Sequence, residues 1–469
     1  MILLLALLAT SQAAPERAMP APLAAGEFVM PAEHTATLSN GVEVRLVENH
    51  EVPLWSLRVV VRAGPEIDPA DEIGLRSVTL SMLDQGAGGL DAAKLAASTK
   101  RLGGSVGAGA SRDTFWVGAS GPTDTFGALL DVWASVLLHP DFPADRWTIQ
   151  QRQLIENLAA ARQDPDAIAG RVQRHLVYGA SYVGRLESEA AYAAITAQDQ
   201  RDWYSRYLDP KNAVILVGGD LSLDAVVDAL NARLGGWTRS ESSLAETTPT
   251  PLPFDHEVIY VVDKPGAAQS VVRTLLPVGD RSDESWWGLY LGNTAFGGAF
   301  TARVNMNLRE DKGWTYGARC GVDDGAGPSL WNCSTNIQTD KTAPAVSELR
   351  REIADVVDSR PITDKEIAFF GSYRVNAFSG QYETPSALLG QLQDIWTYHL
   401  PADWVAQYIP RVSAVTPDSA NSALRRWLQP SHVSYLIVGD VARIGPDLAK
   451  LGLPVVQLDV DGNPLEPKP

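Results

Sequence analysis

The sequence predicts an α+β fold made of two duplicated domains, each a mostly antiparallel sheet packed with helices, and three observations lead there. First, the stretch AITAQDQRDWYSRYLDPKNAVILVGGD, residues 194–220, lies over AVTPDSANSALRRWLQPSHVSYLIVGD, residues 414–440, without a gap. Ala, Thr, Arg, Leu, Pro, Leu, Gly and Asp coincide, and each copy reads as a helix, a Pro-marked turn and an apolar strand ending in Gly-Asp. Second, long amphipathic segments alternate with hairpin-like runs, an order that favours α+β layers over a doubly wound parallel sheet. Third, TRSESSLAETTPTPLP, residues 238–253, is rich in Thr, Ser and Pro and reads as a linker between the copies.

The elements follow in order. Residues 1–13 open on an apolar run and close on Ser11-Gln12-Ala13, which offers small residues at the two positions a signal peptidase inspects. The run is too short to span a bilayer, and no later stretch approaches the roughly 20 apolar residues that a spanning helix needs. A periplasmic or secreted location is expected. The first domain, 30–237, begins with VEVRLVENHEVPLWSLRVVVRAG, read as a β pair. Gly74-Leu75 then opens a helical segment. TFGALLDVWASVLLHP and ADRWTIQQRQLIENLAAARQDP are amphipathic helices, the second ended by Asp-Pro. The second domain, 254–456, repeats the pattern, with Gly288-Leu289 opening its helix, and 457–469 form a tail. Its cysteines, Cys320 and Cys333, flank the turn-rich DDGAGPS of an expected hairpin. In an oxidising compartment they pair as a disulfide; the alternative is two buried thiols.

At 469 residues the chain buries a full core in each of two domains, and 45% hydrophobic with 20% charged residues is ordinary for a globular protein. The net charge of −17 and the lack of any Lys/Arg run argue against nucleic acid as a partner. Local motifs are tested one at a time. The seven histidines include no pair at i, i+4, so no helix carries a His-rich zinc site. GGSVG, residues 103–107, satisfies G-x-S-x-G, yet its helix comes before Ser105 and its strand after, the reverse of a nucleophile elbow. Its glycines read as a helix C-cap and strand entry. Neither phosphate-binding glycine motif is present.

GLRSVTLSM, LVYGASYVGR, DPKNAVILVGGDL and GGAFTARVNMNLREDKGWTYG together resemble the insulinase/pitrilysin-like zinc peptidases, over about residues 34–450. That family's zinc motif is the inverted H-x-x-E-H. Laid on this chain, Ser77 and Ser81 replace the two histidines and Leu80 the catalytic glutamate. The family's third ligand, a glutamate, falls at LIENL, on Glu156 or Asn157. Gly107 stands for an asparagine of the family's substrate-binding strand. The resemblance implies that this chain holds no catalytic zinc. In the second half it places Arg309 and Tyr316 where such peptidases bring an Arg–Tyr pair to the substrate, and Arg303 and Gly313 match beside them. A tyrosine hydroxyl donates to an oxyanion and a guanidinium fixes a carbonyl.

Some bacterial members divide the work between two chains, one bearing H-x-x-E-H and the other the Arg–Tyr pair. The resemblance therefore implies a metal-free accessory subunit, inactive alone, half of a clamshell. Its expected partner is a homologous H-x-x-E-H subunit carrying the zinc, and its expected substrate is a peptide. The alternative is a non-hydrolytic peptide-binding or assembly scaffold.

Overall fold

The computed structural model describes residues 31–238, 244, 248–323 and 325–466. The expected signal peptide and half of the expected linker lie outside the described residues. Among these, no helix is long and apolar enough to cross a membrane.

Each half is built on a six-stranded sheet. In the first, β1 (Glu33–Thr37), β2 (Glu43–Glu48) and β3 (Leu54–Val61) are followed by the two-residue strands β4 (Gly86–Ala87) and β5 (Leu90–Asp91), which pair with each other. Then come β6 (Ser105–Ala110), β7 (Phe115–Pro122) and β8 (Ala213–Gly219). The order across the sheet is β1-β2-β8-β3-β7-β6. The second half contributes β9 (Ile259–Asp263), β10 (Gln269–Val278), β11 (Thr315–Asp323), β12 (Ser329–Gln338), β13 (Ser434–Gly439) and β14 (Val455–Leu458), in the order β14-β9-β13-β10-β12-β11. The two orders superimpose strand for strand, β2-β8-β3-β7-β6 on β9-β13-β10-β12-β11. Most neighbours are antiparallel; β2 with β8, β9 with β13 and β9 with β14 are parallel.

The repeat is reproduced residue by residue. The helix Ala197–Tyr207 and its counterpart Pro417–Trp427 both start from a threonine cap, Thr196 and Thr416, each closing a capping box. The central strands β8 (AVILVGG) and β13 (SYLIVG) are buried at every position, because helices cover both faces of each sheet. Their side chains alternate between two cores. Ile215 and Val217 face the first half's own helices, while Val214 and Leu216 face the other way. Tyr435 and Ile437, against Leu436 and Val438, divide likewise.

The second core on each sheet comes from the opposite half. The helix Pro165–Tyr178, capped by Asp164 and begun by Pro165, lays Ile168, Ala169 and Val172 on Val271, Leu275, Leu436 and Val438 of the second sheet. Its counterpart Pro385–Thr397, capped by Thr384, lays Leu388, Leu389 and Leu392 on Val60, Val214 and Leu216 of the first. The two helices stand at the same offset as the rest of the repeat, 165 against 385. The halves are thus not self-contained domains joined by a linker: each lends a helix to the other's sheet.

A hub of polar contacts lies between them. Arg112, in the β6–β7 turn, donates to the Tyr178 hydroxyl (3.2 Å) and to the Ala326 carbonyl (3.3 Å). Asp113 accepts from the Tyr398 hydroxyl and the Ala326 amide, both at 3.0 Å. Tyr178 and Tyr398 are themselves repeat counterparts.

Three expectations are corrected here. β2 and β3 are not a hairpin pair, since β8 inserts between them, parallel to one and antiparallel to the other. Gly288 does not open its helix; it lies inside Trp286–Asn293, where a Cβ would come 2.7 Å from the Ser419 carbonyl oxygen. Close approach of two helices, not a turn, requires glycine there. The expected tail is partly built into the fold: Val455–Leu458 is a strand, and Asp461 pairs with Arg162 (2.8 Å) and Arg171 (3.3 Å) of the first half.

Candidate functional site

The helix Leu75–Ser81 begins after Gly74, whose φ of 100° suits a residue without Cβ. The buried carboxylate of Asp68 accepts the Gly74 amide at 3.0 Å and the Arg76 amide at 2.8 Å, satisfying donors that the helix start leaves free. Burial pushes the Asp68 carboxyl up to about 6, against the opposing pull of those amides and of Arg76 and Arg185. Ser77 and Ser81, one turn apart, are on the exposed face, whereas Leu80 is only 3% exposed and belongs to the core. The Ser81 hydroxyl donates to the Val78 carbonyl (2.7 Å) and accepts from Gln150 Nε2 (2.7 Å).

Gln150 belongs to the helix Ala144–Ala161, which also carries both candidates for the third ligand position. Asn157 lies two turns beyond Gln150 on the same stripe and accepts from Gln153 at 3.0 Å. Glu156 is rotated about 100° from that stripe and exposed. Helical periodicity therefore sets Asn157, not Glu156, on the face that meets Ser81.

These residues do not fit a zinc ion. Zinc takes thiolate, imidazole or carboxylate donors. Two hydroxyls, one already engaged, and a buried leucine supply none of them, and a single carboxylate at Glu156 would not make a ligand set. Among the described residues no cluster of three or more His, Cys, Asp or Glu is placed to hold a metal.

Ser105 is not a nucleophile. Gly103, at φ 69°, ends the helix Ala92–Arg101, and the Ser105 hydroxyl bonds that of Ser120 across the sheet at 2.8 Å. Gly107 lies in β6, the outer strand of its sheet, and a Cβ there would meet nothing within 4 Å.

The Arg–Tyr segment is assembled differently. The short helix Arg303–Asn305 runs on as a π-helical turn, Met306–Asp311, and Gly313, at φ 65°, reverses the chain into β11. The Gly313 amide donates to the Arg309 carbonyl at 3.0 Å. Asn305 is buried and fastens the turn to the strand: its Oδ1 accepts the Ala318 amide (2.9 Å) and its Nδ2 donates to the Phe300 carbonyl (2.6 Å). β11 is an edge strand, and Tyr316, at its start, is 90% exposed. The Arg309 guanidinium lies 4.5 Å over the ring of Phe300, itself exposed, with Arg319 at 5.4 Å from the same ring. Arg309 also pairs with Glu310 at 3.2 Å. Arg303, by contrast, is a fold residue: it is ion-paired with Glu366 and donates to the Arg360 and Pro361 carbonyls. Sequence reasoning missed Phe300 and Asn305, although both stand inside the quoted GGAFTARVNMNLREDKGWTYG.

Behind this surface Cys320 and Cys333 are opposite residues of β11 and β12 and are joined by a disulfide. Both are buried. Gly297 packs on the bridge so closely that a Cβ would come 2.3 Å from Cys320 Sγ.

The fold and these segments define a peptidase-like scaffold whose zinc-motif helix lacks the zinc ligands. Comparison with known proteins gives the family. Residues 43–187 match "Insulinase (Peptidase family M16)" and residues 194–369 match "Peptidase M16 inactive domain". The chain belongs to this family. An uncharacterized zinc protease of Streptomyces coelicolor is 23% identical over 59% of this chain, and the match spans only 61% of that protein's length. Another, from Bacillus subtilis, is 23% identical over 60% of this chain and 68% of its own. Among solved structures, the peptidase M16 inactive domain from Pseudomonas fluorescens superimposes with a TM-score of 0.78 at 21% identity, covering 87% of this chain and 98% of that one. A protease from Helicobacter pylori gives 0.80 at 16% identity, over 88% and 100%.

Proposed function

We propose that the chain is the non-catalytic subunit of an exported two-chain zinc peptidase acting on peptides. It supplies Arg309 and Tyr316 to a homologous partner that bears H-x-x-E-H and the zinc. The observation that carries the reading is the contrast within one chain. The zinc-motif helix keeps its frame without its ligands, while Tyr316 stands 90% exposed on an edge strand. Tyrosine is enriched at interfaces, where its ring and hydroxyl meet a partner. In the assembled site the Tyr316 hydroxyl donates to the developing oxyanion, and the Arg309 guanidinium, steadied over Phe300, orients a substrate carbonyl. The Cys320–Cys333 bridge supports an oxidising compartment and therefore export. The periplasmic protease PqqL from Escherichia coli shares the fold, with a TM-score of 0.75 at 16% identity over 91% of this chain and 48% of that one.

The test is reconstitution. Co-purified with its H-x-x-E-H partner, the wild-type chain gives peptide turnover. Tyr316→Phe lowers kcat by about 100-fold, equivalent to about 3 kcal/mol of transition-state stabilisation, with complex formation intact. Unchanged turnover in that variant refutes the assigned role and leaves a scaffold.

A further inference from the structure

A cavity of about 420 Å³ opens between the halves, bordered by Ser77 of the zinc-motif helix and by Asp323 at the end of β11. Its lining holds five arginines, Arg76, Arg112, Arg174, Arg185 and Arg273, against three acids, Asp68, Glu187 and Asp323. That excess is unexpected in a chain of net charge −17 without a basic run.

The carboxylates neutralise it only in part: Arg174 pairs with Glu187 and Arg112 with Asp113, while the other three arginines bond mainly to carbonyls. Arg76, buried, spends its guanidinium on the carbonyls of Ala63, Ser111 and Thr114. Arg185 donates to the carbonyls of Pro65 (2.8 Å) and Asp68 (3.4 Å). Arg273 reaches the Gln173 amide oxygen (2.9 Å) and the Asp166 carbonyl (3.3 Å). The Asp68 carboxylate is occupied by two backbone amides. Arg174 pairs with Glu187, which Arg171 shares. The Nε atoms of Arg76, Arg174, Arg185 and Arg273 are buried without a hydrogen-bond partner among the described residues, as are those of Arg162 and Arg171 outside the lining. Carbonyl partners leave the charge of Arg76, Arg185 and Arg273 in place, so the cavity wall stays cationic.

We infer that this pocket is an anion subsite that takes a carboxylate of the bound peptide, an acidic side chain or the C-terminus. A carboxylate suits it because a guanidinium presents two parallel N–H donors to two oxygens. The volume fits a side chain or terminus. The inference deepens the peptidase reading and rests on it for the peptide. The site lies beside the zinc-motif helix, so a peptide end held here runs along the face that carries Ser77.

Calorimetric titration of this chain alone, at low salt, tests it with three peptides of equal length. One is neutral and amidated, one is amidated with a single Glu, and one is neutral with a free C-terminus. A carboxylate peptide is expected to bind at least about tenfold more tightly than the neutral amide, and which of the two does so identifies the source. Arg174→Gln, half-exposed and safe to the fold, and Arg273→Gln each remove that preference; Arg273→Lys, which keeps the charge, restores part of it. Equal binding of all three peptides, no binding, or a preference that survives both Gln variants overturns the subsite. No partner or turnover enters this titration, so its failure leaves the Tyr316 test standing. Failure of that test with carboxylate binding intact leaves a peptide-binding chain.

Discussion

Each half sets an arginine on the middle of its sheet, beneath the helix lent by the other half. In the first half Arg58 of β3 donates to Gln393 at 3.2 Å and lies 4.7 Å over the ring of Trp116. In the second, Arg273 of β10 donates to Gln173 at 2.9 Å. The two glutamines are repeat counterparts, 173 against 393. Where Trp116 covers Arg58, the register of β12 puts Asn332, and a Cβ on Gly170 would stand 3.7 Å from Arg273. One arginine is roofed and the other faces an open cavity. Burial alone lowers the pKa of Arg58, as it does that of Arg273 against the pull of Asp166. The duplicated frame is retained where it builds the fold, glycine included at 170 and 390, and has diverged where Asn332 stands in place of the tryptophan roof. The same holds for the sites: the first half keeps the helix but not the ligands, and the second keeps the exposed Arg–Tyr segment.

The largest effect expected from breaking this symmetry is at the exchanged helices. Leu389 is fully buried on the first sheet; its counterpart on the second is Ala169. Leu389→Ala leaves a cavity in the seam between the halves and should destabilise the chain by about 3 kcal/mol. Urea unfolding checks the value. A loss below about 1 kcal/mol would mean that the helix is a loosely held cover and that the halves do fold as separate units.

How far this architecture was legible follows from which contacts are local. Capping boxes at Thr196 and Thr416, the Pro-marked turns and the buried central strands are written in adjacent residues, and the repeat exposes them. The exchange is not. Ile168, Ala169 and Val172 announce an apolar helix face but not which sheet it covers, and the counterpart segments share only scattered residues. The cavity arginines lie at 76, 112, 174, 185 and 273, so no window of sequence shows a basic cluster. The string LIENL leaves Glu156 and Asn157 open as the third ligand position, and the Ser81–Gln150 contact shows only which stripe of that helix faces Ser81.

The remaining comparison concerns two aspartates that bond backbone amides ahead of corresponding helices, with opposite expected signs. The Asp68 pKa, about 6, lies above the unfolded value near 4. Between those values the native state holds a proton that the unfolded chain has released, so stability falls as pH rises from about 4 to 6 and is level beyond. Relative to Asp68→Asn, the wild type should lose on the order of 2 kcal/mol from pH 4 to pH 7. A wild-type advantage that stays constant or grows with pH would contradict the dominance of burial.

Asp283 is the smaller, inverse case. Burial is the largest single influence and pushes its carboxyl up, but the Ser285 hydroxyl and amide, with Arg426, together outweigh it and hold the carboxyl below the usual range. Its contribution is present above the unfolded pKa and lost as pH falls through the folded one. The wild-type advantage over Asp283→Asn should therefore grow from pH 3 to pH 6, by less than the Asp68 effect because the Arg426 partner is exposed. Paired urea titrations of both variants at several pH values decide it. Two slopes of the same sign would mean that the capping carboxylates of the two halves respond alike, and that the divergence between the halves does not reach their electrostatics.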